Sequence, residues 1–143
     1  MKKLGFLVSS TFLYSTLAFG QSERHLDCEP YGYDGTPSIE AEISQNSRTL
    51  NNVIQTRLFE AGPMESVDVG TIFAQPQMPN YNTNVFILYK LNTLKELFIL
   101  PTNLALIADN IKFKALYEEN SLVNSKYIIV RRSLKCTLYS AGK

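Results

Sequence analysis

The sequence predicts an all-β, mainly antiparallel domain: a small barrel or sandwich of about seven to nine strands with room for one short helix. Three observations carry this. Apolar residues alternate with polar ones in short runs, turn-forming clusters separate the runs, and two cysteines stand near the two ends of the folded part. A strand sends successive side chains to opposite faces, so alternation marks a sheet with one buried side.

The chain opens with a segment that is not part of that domain. Lys2 and Lys3 precede an apolar run from Leu4 to Ala18, and Ala18 and Gly20 put small side chains at the positions a signal peptidase reads. Residues 1–20 are therefore expected to be a cleaved secretory signal of bacterial type, leaving 21–143 as a single domain, periplasmic or secreted. The run is shorter than the roughly 20 residues of a membrane-spanning helix, and no other stretch of the chain is long and apolar enough.

Cys28 and Cys136 are the only cysteines. An even count in an exported chain reads as a disulfide, here between the first and last strands. Both lie on the apolar side of an alternating run: Leu26 with Cys28, and Leu134 with Cys136 and Leu138. With one histidine besides, the chain lacks the ligands for a zinc site, and neither metal nor cofactor is expected.

The cleanest alternation is Ser38 to Ile43, with Ile39, Ala41 and Ile43 on one face. Val67, Val69 and Phe73 suggest a second strand, and Asn52 to Phe59 a less regular one. Turns are expected at 30–37 (PYGYDGTP), 60–64, 75–84 (QPQMPNYNTN) and 118–121. Residues 85–91 and 97–100 are apolar on both faces and form a hairpin across Asn92 and Thr93. In the expected register, Lys90 faces Glu96 and avoids Lys95. Leu104 to Glu119 fits either a hairpin turning at Asp109 and Asn110 or a helix, and the hairpin is preferred.

The whole chain carries 14 Lys+Arg against 13 Asp+Glu, a balance that offers no field for nucleic acid. The charge is uneven, however. Residues 21–89 hold 3 basic and 9 acidic groups, and 90–143 hold 9 basic and 4 acidic. The two halves are expected to attract one another.

No catalytic constellation is present. His25 has no nucleophile in a recognisable turn beside it, and the pairs Glu40/Glu42 and Glu118/Glu119 read as solvated strand faces. The expected function is non-catalytic binding of a protein or glycan, through tyrosine-bearing loops or a second apolar face. The candidate residues are Tyr31, Tyr33, Met78 and Tyr81 in the loops, and Phe86 and Leu88 on the two-sided strand. A second copy of the chain, docked through the 85–100 hairpin, is one such partner. The alternative is a lipocalin-like carrier holding a small apolar ligand inside the barrel.

Export has a direct test. Expressed in a bacterial host, the protein should leave the cytoplasm with Gln21 at its N-terminus, as read by intact mass. Soluble protein that retains Met1 would contradict it.

Overall fold

A computed structural model describes residues 23–32, 35–58, 65–75 and 83–140. The signal segment, Tyr33, Met78 and Tyr81 lie outside these described residues. Eight antiparallel strands make one sheet rolled into a nearly closed barrel: β1 (Arg24–Pro30), β2 (Ser38–Ile43), β3 (Thr49–Arg57), β4 (Glu65–Phe73), β5 (Thr83–Lys90), β6 (Leu94–Pro101), β7 (Lys112–Val123) and β8 (Lys126–Ser140). The order around the sheet is β4-β3-β2-β1-β8-β7-β6-β5, so two four-stranded meanders join where the first strand meets the last. Cys28 and Cys136 sit directly opposite one another in that pairing, 4.0 Å apart at Cα, and are disulfide-bonded.

The barrel closes incompletely between β4 and β5. The Gln75 amide donates to the Val85 carbonyl at 2.8 Å, and the seam widens from there towards the Tyr89 end of β5.

Inward phase explains the core. Leu26, Ile39, Leu50, Val53, Phe86, Phe98, Leu100, Leu134 and Leu138 are fully buried, together with the disulfide. Side chains fill the interior. Each of the larger aliphatic or aromatic groups contributes about 1.5–3 kcal/mol by leaving water.

Two bulges retune the phase. Gly70 adopts φ +73°, where a Cβ would be strained, and the β3–β4 register shifts beside it. Val69 before the bulge and Ile72 after it therefore pack on the core, while Phe73 is 69% exposed. This corrects the single face expected for Val67, Val69 and Phe73. A second shift, between Ile87 and Tyr89, puts Lys90 opposite Lys95 and Tyr89 opposite Glu96. The expected Lys90–Glu96 pairing is thus replaced by a like-charge pair at the barrel mouth, where solvent screens it.

The 104–119 hairpin does not form, and neither does a helix of that length. Residues Thr102–Leu106 make a short 3-10 helix, and β7 begins at Lys112. β6 and β7 pair directly through Ile99 and Leu116, which leaves no place between them for another strand. The connection instead crosses the barrel mouth and drives Leu104 into the core. Arg24 fastens it there. Its guanidinium donates to the Leu104 and Ile107 carbonyls at 3.2 and 2.7 Å and to Asp109 Oδ1 at 2.6 Å. Hydrogen bonds from Ser140 and then from Arg24 hold the Asp109 carboxyl below its usual range.

Residues 118–121 are likewise strand rather than turn: Glu118 to Ser121 pair with β6 on one side and β8 on the other. The turn falls at Asn124 and Ser125, whose φ values of 49° and 62° suit a two-residue hairpin loop.

The disulfide spans 108 residues of sequence. In the chain-entropy account a ring of that size contributes up to about 4–5 kcal/mol. Reduction should therefore lower the urea midpoint strongly, and the oxidised protein should be two protons lighter. An unchanged midpoint would show that β1 and β8 hold together without the bridge.

Candidate functional site

The two ends of the barrel differ. At one end stand Arg24, the 3-10 turn and Ser140, and the mouth is plugged. At the other stand Arg57, Lys90, Leu94, Val123 and Lys126, and here polar and exposed groups collect.

Inside the Arg57 end, four strands each place a polar group on the inward phase that otherwise carries the core: Gln55 and Arg57 after Val53, Glu96 before Phe98, Tyr117 and Glu119 after Ala115, and Arg132 before Leu134. They form one network. Arg57 Nη2 donates to Glu96 Oε1 at 2.5 Å and to the Tyr117 hydroxyl at 2.7 Å. Gln55 Nε2 donates to Glu96 Oε2 at 3.0 Å, and Tyr117 donates to Glu119 Oε1 at 3.0 Å. Arg132 reaches Glu119 at 3.6 Å. The Arg57 guanidinium also stands 5.7 Å from the centre of the Tyr117 ring.

Burial pushes the Tyr117 hydroxyl well above the usual tyrosine range, and Glu96 adds to this, against the opposing pull of Arg57. Burial also disfavours the charge on Arg57, but the oxygens of Tyr117 and Glu96 outweigh it and tighten its hold on the proton. Over the network lies a cleft of about 230 Å³, lined by Gln55, Arg57, Val67, Val69, Tyr89 and Glu96. It lies below the roughly 300–1,000 Å³ of typical small-molecule sites.

Outside, the same end carries a long hairpin. β8 has 15 residues and β1 only 7, so pairing with β1 stops at Leu134. β6 stops at Ser121 of β7. β8 runs on beyond β1 from Ser133 back to Lys126, while β7 stays beside β6 as far as Ser121; Leu122, Val123, Tyr127, Ile128 and Ile129 are exposed there, Tyr127 by 79% and Ile129 by 59%.

At the base of this hairpin, Tyr31, Gly32 and Thr36 face Lys114, Arg131, Arg132 and Ser133 across an open cleft of about 500 Å³. The outer wall is divided by charge. Asp27, Glu29, Glu40 and Glu42 occupy β1 and β2, and Lys112, Lys114, Arg131 and Lys135 occupy β7 and β8. Burial raises the Asp27 pKa, and the neighbouring Glu29 and Glu40 raise it further.

The expected site residues fare unequally. Cys28 and Cys136 are joined and offer no thiol. Tyr31 is 68% exposed, at the hairpin end. Phe86 and Leu88, expected as binding residues, are corrected to core: β5 turns them inward, and only Val85 and Ile87 look outward, half-buried. The loops that hold Tyr31 and Tyr81 leave from opposite ends of the barrel, because Pro30 ends β1 at one mouth while Thr83 begins β5 at the other. His25 is exposed, its ring centre 6.3 Å from that of Tyr139. Among the described residues no three His, Cys, Asp or Glu side chains are grouped to hold a metal ion, and no helix is long and apolar enough to cross a membrane.

Sequence reasoning missed the interior network, and of the projecting hairpin it marked Tyr127 to Val130 only as apolar on both faces. The signal for the first was charge on the inward phase at strand ends; for the second it was the length of the apolar alternation around Tyr127. No protein-family model matches this chain, and no curated protein is significantly similar to it.

The Tyr117 network makes a pH prediction. The unfolded phenol gives up its proton near pH 10, whereas the folded one keeps it, so stability is full below that pH and falls above it. The slope should be about 1.4 kcal/mol per pH unit, and Tyr117 should form tyrosinate only as the protein unfolds. Tyr117→Phe should flatten that slope. Reversible titration of Tyr117 in the folded protein would contradict the assignment.

Proposed function

We propose that the protein is an exported, non-catalytic binding protein that recognises a macromolecular partner through the Arg57 end of the barrel. The observation that carries this is the β7–β8 hairpin, whose β8 strand extends past β1 and which exposes Leu122, Val123, Tyr127, Ile128 and Ile129. The interior needs none of these side chains, and exposed apolar groups gathered in one place are a recurrent mark of interaction surfaces. Tyr31 and the basic cleft beneath it extend the surface with an aromatic ring and positive charge.

The filled interior argues against the carrier reading. Phe86, Phe98 and Tyr117 occupy the space that a lipocalin-like ligand would need. The disulfide is compatible with a periplasmic or secreted location, where such bonds persist. Arg57 and Arg132 offset Glu96 and Glu119 within the network, and this supports a structural role for the most chemically endowed cluster among the described residues.

The paired substitution Tyr127→Ser/Ile129→Ser tests the reading. Both side chains are exposed, so the melting temperature should move little. Cross-linked partner recovered from the envelope or secreted fraction should fall severalfold, in line with ~1–2 kcal/mol per interfacial ring lost. A variant that captures the same partner as efficiently would show that recognition lies elsewhere.

A further inference from the structure

The exposed hairpin has a free edge as well as exposed side chains. In an antiparallel pair, close Cα partners are the ones that do not exchange backbone hydrogen bonds. Cys28 and Cys136 are such a pair, at 4.0 Å. Even-numbered residues of β8 therefore turn their N–H and C=O towards β7, and odd-numbered ones towards β1. The Leu138 carbonyl agrees: it accepts from Asn110, on the β7 side, at 2.8 Å. The β7–β8 register runs without a shift from Lys112–Thr137 to Val123–Lys126, so the same parity holds to the tip. β1 ends opposite Leu134. Beyond it, the backbone groups of Tyr127, Ile129 and Arg131 point to the side that β1 has vacated, with no strand partner among the described residues.

Their side chains share the outer face, so one added strand would meet a backbone ladder and a row of side chains together. Tyr127 and Ile129 make the distal part of that row apolar. Arg131 makes the proximal part basic, with Lys114 lining the adjoining cleft. Glu118 takes up only part of the Arg131 fork, through Nε and Nη2, and Arg131 remains 58% exposed.

We infer that the edge of β8 from Lys126 to Arg131 accepts an extended segment of a partner protein by strand addition. Along one face the segment carries apolar residues followed by acidic ones. This deepens the binding-protein reading and rests on it. Main-chain bonds supply the general affinity of such additions, and alternate side chains supply the specificity. Charge complementarity selects an acidic segment over a second copy of the chain, whose own edge would add the like charges of Lys126 and Arg131 to those already there. The two-sided exposure of the hairpin suits an occupant that lies beside it better than one that caps a single face.

The probe is a synthetic octapeptide whose alternate residues are valine, valine, aspartate and aspartate, separated by threonines, used in both chain directions and measured by fluorescence anisotropy on the oxidised mature protein. It should bind at least about tenfold more tightly than the same peptide with lysine for aspartate, and N-methylation of its edge-facing amides should remove at least about tenfold. Ile129→Pro loses only an N–H that faces the vacant side, so it should fold with a near-normal melting temperature and fail to bind. Ile128→Pro breaks a bond to β7 and should melt earlier.

Equal binding of the acidic and basic peptides, binding that survives N-methylation, or no binding at about 1 mM would overturn the inference. So would a wild-type dimer dissolved by Ile129→Pro, which would assign the edge to a second copy. If the peptide fails while partner capture still depends on Tyr127 and Ile129, the edge proposal falls and the binding-protein reading stands.

Discussion

The structure depends on the pairing of its first strand with its last. Two four-stranded meanders have no reason to form one barrel unless β1 finds β8, and the bond between Cys28 and Cys136 makes that meeting permanent. The strands are unequal, at 7 and 15 residues. At about 3.3 Å per residue, β8 outruns its partner by roughly 25 Å. The closure that completes the barrel therefore also leaves half of its longest strand without a neighbour on the β1 side among the described residues. Natural sheets generally shorten, twist or charge such edges to prevent unwanted pairing. Here the edge is long, and its distal half is apolar, so the exposure is better explained by use than by neglect.

Charge is divided in a way that composition alone does not reveal. The first meander is acidic and the second basic, yet the principal ion pairs between them use the minority charges of each. Arg24 and Arg57, from the first, meet Asp109, Glu96 and Glu119, from the second. Arg24 seals one mouth of the barrel and the Arg57 network lines the other. The majority charges are left on the outer wall as an acidic field on β1 and β2 beside a basic one on β7 and β8. Lys135 and Glu29, 3.9 Å apart, pair across their boundary. The attraction expected between the halves is thus present, but it fastens the mouths and leaves the wall polarised.

The fold class was legible because alternation is strict where a strand has one wet face. Ile39, Ala41 and Ile43 show this, and so do Leu134, Cys136 and Leu138, from which the bridge could be placed before any coordinates. Legibility failed where position and polarity disagree. Arg57, Glu96 and Glu119 occupy inward positions, and a charge is ordinarily taken to mark the outside. Glu118 to Ser121 are polar and were expected to turn, yet ladders on both sides hold them extended. Leu104 to Ile111 alternate like a strand, but β6 and β7 pair directly and leave no place between them for one. Gly70 and the shift after Ile87 changed phase within a strand, which a fixed period of two cannot follow. The candidate site was legible only at Tyr31. The hairpin was legible only as two-sided apolarity at Tyr127 to Val130, because strand length, set by which partner ends first, is a property of the assembled sheet.

Among the described residues β8 is paired on one side only beyond Leu134, and amide hydrogen exchange along that strand measures this residue by residue. The account predicts an alternation in the free protein. The amides of Ile128 and Val130, bonded to β7, should be protected, and those of Tyr127, Ile129 and Arg131 should exchange close to the rate of an unfolded chain, while Lys135 and Thr137 beside β1 are protected again. Uniform protection from Tyr127 to Thr137 in the monomeric protein would contradict it, because the edge would then already be filled.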